Sequence, residues 1–402
     1  MKAIVLNAAR FRVELEDNIL AFWTRHAVDR EHGGFHGAIH SDLRVDKRAP
    51  RSAVVNARIL WTFSAAARLL GNSQYREIAD RAWDYIIHRF WDKENGGVYW
   101  MLDYKGKPIS DRKQIYAQAF IIYAMAEYFR VSGKAESLDR ATLLFNLIEK
   151  HSRDPVFKGY FEARSRNWGA LDDMRLSEKD MNSPKSMNTH LHVMEAYTNL
   201  LRVWRNSELA ACQNDLLEVS MDRMVDSRTG HFQMFFDRQW NSMSDHVSFG
   251  HDIEGSWLIY EAAEVLGDPV LVAVARNASL QMADAVYNEG RDKDGSIFYE
   301  RNSKGEFVDP NKHWWAQAEA VVGFYNAFQL TRDERYREAA ERAWDYIDAR
   351  IIDREHGEWR AKLRPDGTPW LESEDPDACL VGPWKCPYHN GRMCMEMIER
   401  LE

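Results

Sequence analysis

The sequence predicts an all-α protein: a closed ring of six helical hairpins, an (α/α)6 barrel, with short β-hairpins in the loops at one rim. Two observations carry this reading. Six similar loops recur at nearly constant steps, and the stretches between them alternate between amphipathic and almost wholly apolar helices.

The loops come first. Asp29-Arg-Glu-His-Gly-Gly-Phe35, Asp92-Lys-Glu-Asn-Gly-Gly-Val98, Asp154-Pro-Val-Phe-Lys-Gly-Tyr160, Asp226-Ser-Arg-Thr-Gly-His-Phe232, Asp292-Lys-Asp-Gly-Ser-Ile297 and Asp353-Arg-Glu-His-Gly-Glu-Trp359 share one pattern. Their glycines Gly33, Gly96, Gly159, Gly230, Gly295 and Gly357 are spaced by 63, 63, 71, 65 and 62 residues. Val98 to Lys107 and Ile297 to Glu306 alternate and then turn at a glycine, as short hairpins do. His32, His231 and His356 belong to this loop pattern and read as loop structure.

Tyr75 to Ile86 and Tyr336 to Ile347 are near copies, apolar at i, i+3, i+4 and i+7 with charges opposite, which predicts outer helices. Ile115 to Ala126 and Ala316 to Tyr325 are apolar nearly all round, which predicts inner ones. Gly71, Gly133 and Gly267 stand at helix ends as C-terminal caps. A sixth inner helix from about Pro387 to Leu401 completes twelve. An open solenoid needs polar capping repeats, and neither end offers one, so the ring closes and residues 1–402 form one domain.

The net charge is −9, with no basic run, which excludes nucleic acid and anionic membranes as partners. No segment reaches the roughly 18 to 20 apolar residues of a membrane span, and the apolar run after Met1 is too short for a secretory signal. Cys212, Cys379, Cys386 and Cys394 match no zinc or redox spacing, so a cytoplasmic protein is expected. Fifteen Trp exceed what a core requires, and sugar-stacking sites are one use for them.

A rim site predicts polar residues in the first turns of the inner helices. They are there: Arg58; Tyr116 and Gln118; Asn188 to His192; His251 and Glu254; His313 to Glu319; Trp384 to Arg392. His192, His251 and His389 lie on apolar helices at one level. Glu254, one turn after His251, either orients that imidazole or pairs with an arginine. A metal held by His251, Glu254 and His192 or His389 competes, but no HExxH or facial-triad spacing supports it, and none is expected. No phosphate-cradling or dinucleotide motif is present, and no cofactor is expected. A glycoside hydrolase using Glu254 and Glu319 lacks a dominant carboxylate pair. Several histidines, an arginine and aromatic walls suit proton transfer beside a carbonyl. Arg58 would hold the enediolate oxygen, with His251 and His389 flanking an open-chain sugar and Trp314, Trp315 and Trp384 supplying flat faces.

Asn188-Thr-His-Leu-His192, Ser248-Phe-Gly-His-Asp-Ile-Glu254, Trp314-Trp-Ala-Gln-Ala-Glu319 and Trp384-Lys-Cys-Pro-Tyr-His389 resemble the signatures of cellobiose 2-epimerases, a group within the N-acylglucosamine 2-epimerase superfamily of (α/α)6 barrels. The resemblance runs along essentially the whole chain. It implies cofactor-free, reversible conversion of the reducing-end glucose of a β-1,4-linked disaccharide into mannose. It assigns general acid–base roles to His251 and His389, assistance in ring opening to His192, support of the first histidine to Glu254, and the enediolate oxygens to Arg58. Tyr116, Asn188, Trp314 and Trp384 match substrate contacts, and Asp180 matches a contact to the outer sugar; Trp315 and Glu319 join this expected binding set. Phe249 departs from the tyrosine of relatives, which bears on substrate preference. Mannose/glucose 2-epimerases and aldose–ketose isomerases share most of these motifs. The expected partner is a small carbohydrate, and the protein is expected to be a monomer or weak homo-oligomer.

Overall fold

The computed structural model describes residues 6–402. The short apolar run weighed as a signal begins in residues 1–5, outside the described part. Twelve α-helices follow in order: α1 (Ala8–Val13), α2 (Ala53–Leu70), α3 (Ser73–Tyr85), α4 (Ile115–Ser132), α5 (Ala135–His151), α6 (Met187–Val203), α7 (Ser207–Val219), α8 (Phe249–Leu266), α9 (Pro269–Ala285), α10 (Trp314–Thr331), α11 (Glu334–Tyr346) and α12 (Tyr388–Leu401). Even-numbered helices form the inner ring and odd-numbered ones the outer ring. All outer helices except α5 run on into a π-helical stretch, such as Ile86–Phe90 and Ile347–Ile351.

The ring closes. α12 packs on both α1 and α2. The Trp359 indole donates to Glu14 Oε1 at 2.7 Å, the Glu358 amide donates to Asn18 Oδ1 at 2.7 Å, and Arg10 pairs with Asp348 at 3.1 Å. The last hairpin therefore covers the first, and neither needs a polar cap.

Inner helices stop where expected. Gly71, Gly133 and Gly267 take φ of 66°, 64° and 89°, the left-handed region where a Cβ is costly. α10 ends on Arg332 in that same region, and α6 ends without it. Trp23, Trp83, Trp257, Trp344 and Trp359 are fully buried, so much of the tryptophan excess is structural. On α9, Val270 and Val274 are exposed one turn apart, an apolar pair the sequence reading did not mark.

All six long loops meet at the rim that holds the N-termini of the inner helices. The loop aspartates build the turns: Asp29, Asp92, Asp154 and Asp353 each accept two backbone N–H groups on Oδ1. A buried cation just before every inner helix but α8 then locks most loops. Arg51 pairs with Asp29, Lys113 with Asp92 at 2.9 Å, Lys185 with Asp154 at 3.3 Å, Lys312 with Asp292 at 2.8 Å and Lys385 with Glu358 at 2.6 Å. The residues before α2, α4, α6, α8 and α10 pair antiparallel with the hairpin of the next loop, stitching the rim together. No helix among the described residues is long and apolar enough to cross a membrane.

Candidate active site

Helix phase decides which polar residues reach the centre. With the first helical residue as position 1, positions 2 and 6 stand one turn apart on one face, and position 4 lies nearly opposite. Position 4 is Gln118, His190, Asp252 and Gln317 on α4, α6, α8 and α10. Each accepts a loop N–H five or six residues past the loop aspartate: Val98 at 2.8 Å, Tyr160 at 2.8 Å, Phe232 at 2.7 Å and Ile297 at 2.9 Å. Gln118, expected to point to the site, is therefore a loop anchor. Asp252 also binds His231 at 2.7 Å, which places that histidine in the loop scaffold, as expected.

Positions 2, 3 and 6 face inward. Arg58, Tyr116, Asn188, His192, His251, Glu254, Trp314, Trp315, Trp384 and His389 all line one cavity of about 610 Å³ at the rim, and Asp180 lines its outer part. That volume lies within the range of small-molecule sites.

The three histidines are anchored through Nδ1, each by a different partner. Glu319 Oε1 lies 2.7 Å from His389 Nδ1, and Glu195 Oε2 lies 2.8 Å from His192 Nδ1. A carboxylate partner fixes the proton on Nδ1 and leaves Nε2 as the free, basic nitrogen. His251 Nδ1 meets Ser248 Oγ at 2.8 Å. Burial, with the charge of His192, pushes His251 down to about 3. Burial, together with Arg58 and Arg392, pushes His389 well below the ordinary histidine value. Both are neutral imidazoles at pH 7. The Trp315 ring stands between them, 4.7 Å from His251 and 5.5 Å from His389.

Arg58 is buried and has no carboxylate partner among the described residues. Its Nη2 donates to Tyr116 Oη at 2.9 Å, its Nε is unpaired, and its guanidinium lies over Phe120 and Tyr388 at 4.3 and 4.9 Å. A buried cation without a counter-ion is costly, and it is a ready partner for an oxyanion. Asn188 Oδ1 and Trp314 Nε1 are also buried without partners.

Beneath the histidines lies a charge network that the sequence reading did not assemble. Arg392 donates to Glu195 Oε1 and Tyr388 Oη through Nη1, and to Glu254 and Glu319 at 2.6 Å each through Nη2. Burial and the Glu319 carboxylate lift Glu254 to about 7, against the pull of Arg392. Burial opposes ionisation of Glu195 as well, but Arg392 and His192 outweigh it and hold it at about 2.

Three expectations change. Glu254 does not support His251; it pairs with Arg392, the nearer cation, and Ser248 holds the imidazole. Glu319 does not line the cavity; it sits behind His389, where it also accepts the Trp257 indole N–H at 3.0 Å. Phe249 is fully buried, against Gly290 and His231, and does not line the cavity, so the departure from tyrosine lies outside it. Glu195 is not marked by the sequence and Arg392 is marked there without a role, although both lie three residues beyond a marked histidine on the same helix face.

Glu254, Glu319 and His389 converge closely enough for a metal ion, but Arg392 Nη2 already bonds both carboxylates. The cation position is filled by guanidinium.

Fold and centre together define an (α/α)6 barrel with three buried histidines around a cavity that opens at one rim. The profile of the N-acylglucosamine 2-epimerase family matches residues 33–379, and the chain belongs to that family. It is 47% identical over 385 residues to cellobiose 2-epimerase of Bacteroides fragilis, covering 96% of this chain and 97% of that one. The structure of cellobiose 2-epimerase from Bacillus thermoamylovorans superposes with a TM-score of 0.92 at 41% identity, over 98% of this chain and 99% of that one. A D-mannose isomerase structure shares the fold with a TM-score of 0.86 at 21% identity, covering both chains in full.

Proposed function

We propose that this protein is a cofactor-independent 2-epimerase of the reducing-end glucose in β-1,4-linked disaccharides. It interconverts cellobiose with glucosyl-mannose and lactose with epilactose. The observation that carries this reading is the pairing of two neutral histidines, His251 and His389, on different helices around one cavity that also holds the unpaired Arg58.

The reaction begins with ring opening, assisted by His192, which frees the C1 aldehyde. One of His251 and His389 removes the C2 proton through Nε2, and the electron pair of the broken C–H bond forms the enediolate, its charge on O1. Arg58, with the Tyr116 hydroxyl on its guanidinium, stabilises that oxygen. The other histidine takes up a solvent proton on Nε2 and gives it to the opposite face of C2, the ring recloses, and the first histidine releases its proton to solvent. General acid–base catalysis of this kind contributes about 10²- to 10⁴-fold per group. When His389 is the base, its imidazolium forms against the Glu319 carboxylate already bonded to Nδ1. Trp315 offers a flat wall between the two proton-transfer groups.

The same enediolate protonated at C1 gives a ketose, so mannose–glucose epimerisation or aldose–ketose isomerisation is the second reading within this chemistry. Glycoside hydrolysis is disfavoured because Glu319 lies behind His389, out of reach of a scissile bond. The four cysteines are free and buried, which suits a reducing, cytoplasmic setting. Incubation of lactose or cellobiose in D₂O, with NMR of C2 in the product, tests the reading. Deuterium at C2 of the epimer is expected; hydrolysed sugar without solvent-exchanged epimer overturns it.

A further inference from the structure

The six rim loops are unequal. Four of the segments between an outer and an inner helix run 23 to 25 residues, whereas 152–186 has 35 and 352–387 has 36. These two loops precede α6 and α12, the third and sixth inner helices, which stand opposite each other in a ring of six. Contact between them must cross the mouth.

They do touch. Lys179 Nζ lies 2.9 Å from Asp377 Oδ2, the one ion pair or hydrogen bond joining the two loops among the described residues. The third loop reaches it as a preformed unit. Asn182 brackets the segment, accepting from the Met174 amide at 3.0 Å and donating to the Asp172 carbonyl at 2.9 Å. Asp180 staples it internally by accepting from the Ser177 amide and hydroxyl at 2.8 Å each. Its near shoulder is tied to the second loop, where Arg112 donates to the Arg175 carbonyl and Gln114 to the Met174 carbonyl at 3.1 Å. The far side is steady too: Glu372 of the sixth loop accepts from His40 and Ser41 of the first, and Trp370 donates to Asn311 of the fifth at 3.0 Å. Residues 174–181 all line the cavity, so the segment roofs its outer part.

Building on the sugar-epimerase reading, we infer that segment 170–183 is a lid clasped across the mouth by Lys179 and Asp377, and that the clasp selects for substrate length. A two-sugar substrate with its reducing end at the histidines lies beneath the closed lid. A longer β-1,4 chain extends through the mouth and binds only when the clasp is broken. Both clasp residues are exposed, Lys179 by 81% and Asp377 by 54% of their side chains, so the clasp is weak and reversible, as repeated access requires.

The test measures kcat/KM for cellobiose and cellotetraose in wild type, Lys179→Glu, Asp377→Asn and the swap Lys179→Glu/Asp377→Lys. Lys179→Glu faces Asp377 with a like charge. It is expected to raise the cellotetraose-to-cellobiose ratio about five-fold, the scale of an exposed pair, and the swap to restore it. An unchanged ratio in the single variants, or a swap that fails to restore it, overturns the clasp. Trypsin cleavage after Arg175 gives a second readout. Asp377→Asn is expected to speed it and cellobiose to slow it in wild type; equal rates throughout overturn the lid. Wild type that forms no epimer from any sugar defeats the epimerase reading, and the trypsin arm still decides whether the lid is clasped.

Discussion

The same inner helices present two faces that behave oppositely. On the face of position 4, one solution is used again and again: Gln118 and Gln317 each bind both the N–H and the C=O of a loop residue, Val98 and Ile297 respectively, at 2.8 to 2.9 Å. Behind that face the cation–carboxylate pairs also repeat. On the inward face little repeats beyond the glutamates at position 6 of α8 and α10, Glu254 and Glu319, which share Arg392. Arg58, His192, His251 and His389 occur once each, and each has a different kind of partner: Tyr116 on the next inner helix, Glu195 one turn on, Ser248 just before the helix, and Glu319 on the neighbouring α10. In a sixfold architecture, a polar residue shared by the repeats holds the fold, and one without counterparts serves the site.

The sharpest break of that comparison is between His190 and His192, two residues apart on α6. His389→Asn and His251→Asn are expected to lower kcat about 10²- to 10⁴-fold with the circular dichroism spectrum unchanged. His192→Asn should also lose most turnover. His190→Gln keeps an acceptor for the Tyr160 amide and a donor for the Ser186 carbonyl, so its kcat should match wild type. A His190→Gln variant as inactive as His192→Asn would collapse the distinction.

On the scaffold side the largest loss comes from the buried ion pairs. Lys113 and Asp92 are wholly buried. Lys113→Met leaves Asp92 with Arg166, at 3.2 Å, as its remaining cation. The expected cost is about 3 kcal/mol of unfolding free energy by denaturant titration, with kcat of the folded fraction retained. A fall in kcat without a fall in stability would move this residue to the other class.

How much of this was legible follows from what sets each feature. The ring was readable because the marker glycines sit in turns whose aspartates cap their own backbone, a local signal confined to seven residues. The inward residues were readable as a level, since polar groups in apolar first turns stand out. Their partners were not. Glu319 and His389 are 70 residues apart and meet only once α10 packs on α12, and Arg392 looks like an ordinary helix charge until three carboxylates surround it. Gln118 is hard to place from sequence because a helix start uncertain by one or two residues does not separate position 4 from positions 2 and 6. The long third loop was visible as the 71-residue step, but its crossing to the sixth loop was not.

Histidine protonation separates the faces again, at smaller scale. Burial pushes His190 down to about 3 while an unfolded histidine titrates near 6.5. Below pH 6.5 the unfolded chain therefore binds a proton that the folded one refuses, and this residue costs stability progressively down to about pH 3. His190→Gln removes that dependence. Relative to wild type its stability should improve on acidification, approaching about 1.4 kcal/mol per pH unit below 6.5. Stability curves at pH 7.5 and 5.5 check the sign. A constant gap would mean that His190 is protonated in the fold, which its acceptor role toward the Tyr160 amide forbids.

The smallest effects belong to the end of the barrel away from the site, where helix ends differ by one residue type. Gly71 and Arg332 occupy the same left-handed position after α2 and α10, with φ of 66° and 61°. Space is not the constraint at Gly71, since a Cβ there meets nothing within 4 Å. Gly71→Ala should therefore cost only the backbone preference, about 1 kcal/mol. Arg332→Gly should relieve a similar strain, partly offset by the greater freedom glycine gives the unfolded chain. Thermal melts should move in opposite directions for the two, and epimerisation rates should not move at all. A change in kcat from either substitution would show that the far ends of the inner helices are coupled to the histidines, and the separation of scaffold from site by helix face would then need a longitudinal term as well.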